Sequence, residues 1–383
     1  MKIGILTQPL QTNYGGLLQA YALQTVLKRM GYKAWTINRP YKKVSLLRRI
    51  FSYLKRMIFS AFKTKSYIIR VWPTDKESKL IAQNTNRFIK ENIQVTEPIY
   101  SLNNFSSLKK YEFDAYIVGS DQVWRPSYSP NISNYFLDFL TEKDKVKRIA
   151  YAASFGVDNW EFNDIQTSLC AALAKKFDAI SVREDSAKDL CKDYFGVKAE
   201  LVLDPTMLCT KDDYIELIKK DSTPASKGTL MTYILDRSHE KEEIISKVAK
   251  EFDLLPFSTL PQSKYAEVGA KNIKHCIFPP VTEWLRGFLD ASYVVTDSFH
   301  GTVFSIIFNK PFITIGNSER GITRFTSLLN MFGLEDRLIS FPSELTKELM
   351  HKNIDYIRIE ELLKNKRTSS LNFLSKVLKN NYE

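Results

Sequence analysis

The chain reads as an α/β protein of two Rossmann-like, doubly wound halves facing a cleft, on three observations. Short β-branched runs alternate with helical segments from the first residues onward, the pattern of parallel strands joined by crossover helices. The alternation pauses at Lys219–Gly228, a polar stretch holding Pro224 and Gly228, and then restarts. The chain has 383 residues, more than one ordinary core holds.

In the first half Ile3–Thr7 reads as a strand, Leu17–Met30 as a helix and Ala34–Ile37 as the next strand. A helix is expected over Lys76–Glu91. Strands follow at Ala115–Val118, Arg148–Ala152, Ala179–Val182 and Glu200–Leu203. The second half opens with Thr229–Leu235 and a helix over Glu240–Phe252. Strands are expected near Leu254–Phe257, Ile273–Phe278, Tyr293–Thr296 and Pro311–Ile315. The domains expected are therefore 1–218 and 229–363, with 364–383 a polar C-terminal tail or helix.

Composition narrows the class. Apolar residues make up 44% and charged residues 26%, as in a water-soluble globular protein. The four cysteines are scattered, with no CxxC pair, which suits a reducing cytoplasm and speaks against a disulfide framework or a structural zinc. No apolar run has the length of a secretion signal or a membrane span. The net charge of +12 is uneven: nine Lys/Arg and no Asp/Glu lie between Lys42 and Arg70. Read as a basic helical insert at about 42–70, this segment puts Leu47, Ile50, Phe51, Leu54, Ile58, Ala61 and Phe62 on one face. Arg48, Arg49, Lys55, Arg56 and Lys63 lie opposite. Such a helix suits an anionic membrane surface or the cover of an anionic site, and equally a surface helix docked on the first domain with its basic face solvated. Nucleic acid is not expected, because the basic residues are confined to one segment and no binding motif accompanies them.

The chemistry-bearing residues sit at strand ends. Tyr293–Thr296 runs into Thr296-Asp297-Ser298-Phe299-His300-Gly301 and then a helix. Such a turn holds side chains at the carboxyl edge of a parallel sheet and aims backbone N–H groups at an anion. Of the four histidines only His300 has this context. After the first strand, Asn13-Tyr14-Gly15-Gly16 either lets a ligand approach the backbone or is an ordinary loop capped by Asn13. Neither G-x-G-x-x-G nor a Walker A motif is present. Asp121, in Gly119-Ser120-Asp121-Gln122, is a general base or a helix cap. Ser154, within Ala153-Ser154-Phe155-Gly156, sits among small residues that either leave room for a ligand or simply pack. Arg183 is an anion-binding arginine or the partner of a structural acid. Asp204-Pro205-Thr206 reads as a turn with Asp204 structural. Arg320 and Arg324 either present two cations to the cleft or form an exposed basic loop.

Taken in order, NYGGLLQAYALQ, VGSDQVW, YAASFG, SVREDS, LDPT and TDSFHGTVFSIIFNKPF, followed by the Arg320/Arg324 loop, resemble the polysaccharide pyruvyl transferase family over about residues 3–340. The resemblance implies a GT-B-like pair of Rossmann domains, an N-terminal acceptor half and a C-terminal donor half. It implies transfer of the pyruvyl group of phosphoenolpyruvate onto two sugar hydroxyls, forming a ketal and releasing phosphate, with no cofactor and no metal. His300 matches the family's catalytic histidine and Arg183 its anion-binding arginine. Better-known members carry an arginine two residues before the histidine, where this chain has Ser298; Arg320 or Arg324 is expected to supply the missing cation. The partners expected are phosphoenolpyruvate and a saccharide acceptor, lipid-linked or free, met at the cytoplasmic face of a membrane. The alternatives are a GT-B glycosyltransferase with a nucleotide-sugar donor and a non-catalytic saccharide-binding protein on the same fold.

Overall fold

The computed structural model describes residues 1–41, 45–60, 68, 70–316 and 321–379, and within them two parallel sheets organise the chain. The first contains β1 (Lys2–Leu6), β2 (Lys33–Thr36), β3 (Ala115–Val118), β4 (Lys147–Ala153), β5 (Ala179–Val182) and β6 (Glu200–Leu201), in the order β2-β1-β3-β4-β5-β6. The second contains β7 (Leu230–Tyr233), β8 (Pro256–Phe257), β9 (Tyr293–Thr296), β10 (Phe312–Ile315) and β11 (Leu338–Ile339), in the order β11-β10-β9-β7-β8. Every residue of β3, β4, β9 and β10 is buried. Strands covered by helices on both faces carry continuous apolar runs rather than alternating ones, and this explains why they stand out in the sequence.

Each sheet reverses its strand order once, between β1 and β3 in the first and between β7 and β9 in the second. At such a reversal the crossover helices leave on opposite faces and open a crevice at the carboxyl ends of the strands. The two crevices face each other. Tyr14 joins them: it opens the helix Tyr14–Arg29 that follows β1, packs against Tyr233, Phe278 and Trp284, and donates its hydroxyl to the Thr259 and Pro279 carbonyls.

The structure departs from the expected elements in three places. The helix expected over Lys76–Glu91 is two, Asp75–Ile81 and Gln83–Asn92, meeting at Ala82; a Thr74/Glu77 capping box starts the first. The strand expected at Ile273–Phe278 is a 3-10 helix over Ala270–Cys276. Of its residues only Cys276 is buried, and the sheet edge is already closed by β8, so its apolar residues have no ladder to join. The boundary expected at 363/364 falls inside a continuous helix, Tyr356–Lys379. That helix returns to the first half, where Phe373 packs on Tyr151, Ser370 accepts from the Leu203 N–H and Lys147 donates to the Val377 carbonyl. The part of the basic insert that is described is a helix over Leu46–Ser60; residues 42–44, 61–67 and 69 lie outside the described residues.

Candidate functional site

A cleft of about 730 Å³ lies where the two crevices meet. Thr12, Asn13 and Asp121 reach it from the first sheet, and Ile234, Ser298 and His300 from the second. His300 occupies the first turn of the helix Phe299–Ile307, whose N-cap is Ser298, accepting from the Gly301 N–H. Gly301 must lack a side chain, because a Cβ there would fall 2.1 Å from the Thr296 Oγ1. The sharp strand-to-helix turn is thus set by a serine cap and a glycine at the crossing.

Beneath His300 lies a buried charge cluster drawn from the ends of β3, β5 and β6. Asp204, just past β6, accepts from the Arg183 guanidinium at 2.8 Å, from Ser120 Oγ at 3.0 Å and from both the backbone N–H and the hydroxyl of Thr206. His300 Nε2 stands 3.7 Å from Asp204 Oδ2, close enough for charge to matter and too long for a good hydrogen bond. Among the described residues that nitrogen has no hydrogen-bond partner. Burial raises the Asp204 pKa, but His300, Arg183 and Thr206 together outweigh it and hold the carboxyl well below the usual carboxylate range. Arg183 is also 3.4 Å from Asp121 and 3.7 Å from Glu184. Burial lowers its affinity for its proton, and the three carboxylates more than reverse that.

Phe299 carries two cations on its ring: the Arg183 carbon Cζ is 4.5 Å from the centroid and that of Arg324 is 5.8 Å. Arg324 lines the cleft from the helix Thr323–Phe332. Just before that helix, Gly321, whose φ is +85°, lies against the first half, and a Cβ there would fall 1.7 Å from the Gly156 carbonyl oxygen. Burial, and then repulsion from Arg183, lower the Arg324 pKa to about 10.

The residues singled out in the sequence separate into two groups. His300, Asp121, Asn13, Ser298 and Arg324 all line the cleft. Asn13 both caps the helix Tyr14–Arg29, accepting from the Gly16 N–H, and faces the cleft, so its two readings coexist. Asp121 caps no regular helix; with φ of 72° it turns its carboxylate back to its neighbour Gln122 N–H and to Arg183. Gly15 supports the histidine directly, because a Cβ there would meet His300 Nδ1 at 2.2 Å. Gly16 borders a smaller cavity adjoining the cleft.

The other group is removed from the cleft. Tyr14 is fully buried with its hydroxyl committed to two carbonyls, so its part is to join the halves. Ser154 is fully buried, donates to Glu184 Oε1 at 2.7 Å and does not line the cleft. Arg183 is 1% exposed and sits one layer below the cleft, among its three acids. Arg320 lies outside the described residues. Asp204 is the turn residue read from the sequence, capping Pro205–Leu208 through the Thr206 N–H, and it also meets Ser120 and Arg183, which follow β3 and β5.

Comparison with known proteins agrees with this architecture. The S. aureus MnaA–UDP complex is 12% identical with a TM-score of 0.51, covering 100% of this chain and 99% of that one. The UDP-GlcNAc 2-epimerase of Methanocaldococcus jannaschii is 14% identical with a TM-score of 0.51, covering 99% of each chain. At such identities the likeness is one of fold, and the fold is GT-B. No curated protein matches the chain. The family model described as polysaccharide pyruvyl transferase matches residues 13–319, well over half of the chain, and the protein therefore belongs to that family.

Proposed function

We propose that this transferase moves the pyruvyl group of phosphoenolpyruvate onto two hydroxyls of a sugar, in a cell-surface polysaccharide or its lipid-linked precursor, at the cytoplasmic side of the membrane. The observation that carries the reading is the cleft itself. One histidine stands at a helix N-terminus with an arginine beside it and a buried Asp204–Arg183 pair beneath it. Phosphoenolpyruvate is a small trianion with a carboxylate and a phosphate. Arg324 and the N–H groups opening the helix Phe299–Ile307 suit these anions, while Arg183 is held below them by its three carboxylates.

The steps balance with the residues at hand. His300 gives a proton to the methylene carbon, which leaves C2 cationic. A sugar hydroxyl attacks C2 and its proton passes to a base, for which Asp121 lines the cleft. Phosphate then leaves with the C2–O bond electrons, and a second hydroxyl closes the ketal, its proton passing back to the neutral His300. Asp204 touches none of the reacting atoms; its part is to orient His300.

The test is a phosphate-release assay with phosphoenolpyruvate against a panel of saccharide acceptors. Release that requires an acceptor and is lost in His300→Ala is the expected result. Nucleotide release from a sugar donor, without phosphate from phosphoenolpyruvate, would replace this reading with a glycosyltransferase. Saccharide binding that survives His300→Ala without turnover of any donor would make the protein a binding module.

A further inference from the structure

The helix Leu46–Ser60 is oriented in the opposite sense to a surface helix docked on a domain. Its apolar residues face outward: Leu47 is 80% exposed, Phe51 73%, Leu54 49% and Ile58 63%. Their spacing of four, three and four residues makes one continuous stripe along the helix. Ile50 and Met57 widen it on one side and are also exposed. The basic residues occupy two other positions around the helix. Arg49 and Arg56 point back to the protein and donate to the Pro73 and Ile68 carbonyls at 2.6 and 3.1 Å. Arg48 and Lys55, both exposed, flank the stripe about a quarter turn away.

An apolar stripe left in water is costly, and one bordered by cations matches a surface that is apolar within and anionic at its edge. No Asp or Glu occurs anywhere between Lys42 and Arg70, so nothing in the segment opposes approach to negative headgroups. We infer that the helix Leu46–Ser60 docks on an anionic bilayer, its stripe set into the headgroup–acyl boundary and Arg48 and Lys55 reaching the headgroups.

Both flanks of the helix connect to the cleft. Before it, the Tyr41 hydroxyl bonds Gln8, and Tyr41 lines the small cavity shared by Asp121, Gln122 and Tyr128. After it, Arg70 pairs with Glu77 and lies 5.7 Å over the ring of Tyr265, which lines the cleft. A helix seated on the bilayer would therefore place the cleft beside the membrane surface, where a lipid-linked acceptor would meet it. The docking inference goes beyond the proposed reaction, and its test requires no turnover.

Co-sedimentation of the full chain with vesicles of equimolar phosphatidylglycerol and phosphatidylcholine, and with phosphatidylcholine alone, decides it. Wild type is expected to pellet with the anionic vesicles, and less so as salt is raised. The Phe51→Ser/Leu54→Ser variant should lose at least about tenfold in partitioning, because it removes two of the inserted side chains. Arg48→Glu/Lys55→Glu should lose binding to the anionic vesicles as well. An unchanged thermal melt shows that each variant is folded. Wild type left in the supernatant overturns the inference, as does a serine variant that binds like wild type. A dimer in sedimentation velocity that the serine variant dissolves, with no vesicle binding, would assign the stripe to a second copy of the chain instead.

Discussion

His300 Nε2 stands 3.7 Å from Asp204 Oδ2, and the two residues come from opposite halves of the molecule. Asp204 is in turn fixed by Arg183, Ser120 and Thr206, so the histidine of one half faces a carboxylate that the other half holds in place.

Asp204→Asn keeps the shape of the side chain and removes its charge. If Asp204 orients His300, kcat for phosphate release should fall by about 10²- to 10³-fold, within the range typical of general acid catalysis, while KM for phosphoenolpyruvate changes little. A loss confined to KM would remove Asp204 from this role.

The same variant gives a pH test. The folded Asp204 carboxyl titrates below its unfolded value of about 3.9. Its contribution to stability is therefore present in full above that value. It is lost as the pH falls from there toward the folded value, because the unfolded chain takes up the proton first. The stability gap between wild type and Asp204→Asn, measured by denaturant unfolding, should narrow as pH falls from about 6 to about 3. A gap that is constant over that range contradicts the assignment.

Gly15 is the floor under the imidazole. In Gly15→Ala the added methyl group occupies the space 2.2 Å from Nδ1, so the ring must move. A displacement of about 1 Å can cost about 10²-fold in rate, and kcat should fall by roughly that factor. Full activity in Gly15→Ala would show that the ring position is not critical.

Arg324 and Arg183 should behave differently although both flank Phe299. Arg324→Ala is expected to raise KM for phosphoenolpyruvate by about 10- to 100-fold, the loss of a charge-assisted contact, with little change in stability. Arg183→Ala leaves Asp204, Asp121 and Glu184 without their shared cation, and should cost about 3–5 kcal/mol of folding stability. Chemical denaturation together with donor kinetics separates the two; equal stability loss in both variants would refute the division of roles.

The sequence by itself determined the two parallel sheets and the strand ends that carry chemistry. Both are local properties: buried β-branched runs such as Tyr293–Thr296 announce a strand, and a serine cap with a glycine announces the turn that presents His300. It also showed that Leu47, Phe51, Leu54 and Ile58 share one face of a helix. Tertiary structure alone decided what those features meet. Asp204 is the turn residue the sequence suggested, but its further partners could not be read there, because Ser120 and Arg183 are 84 and 21 residues away along the chain and His300 belongs to the other sheet. For Arg183 the structural ion pair is the one of its two readings that the structure displays, and Ser154 is bonded to Glu184; a strand end does not reveal which neighbouring ends carry acid. The apolar helix face turned outward for a related reason. Periodicity identifies a face, but only the packing of the whole chain sets whether that face meets the core or the surroundings.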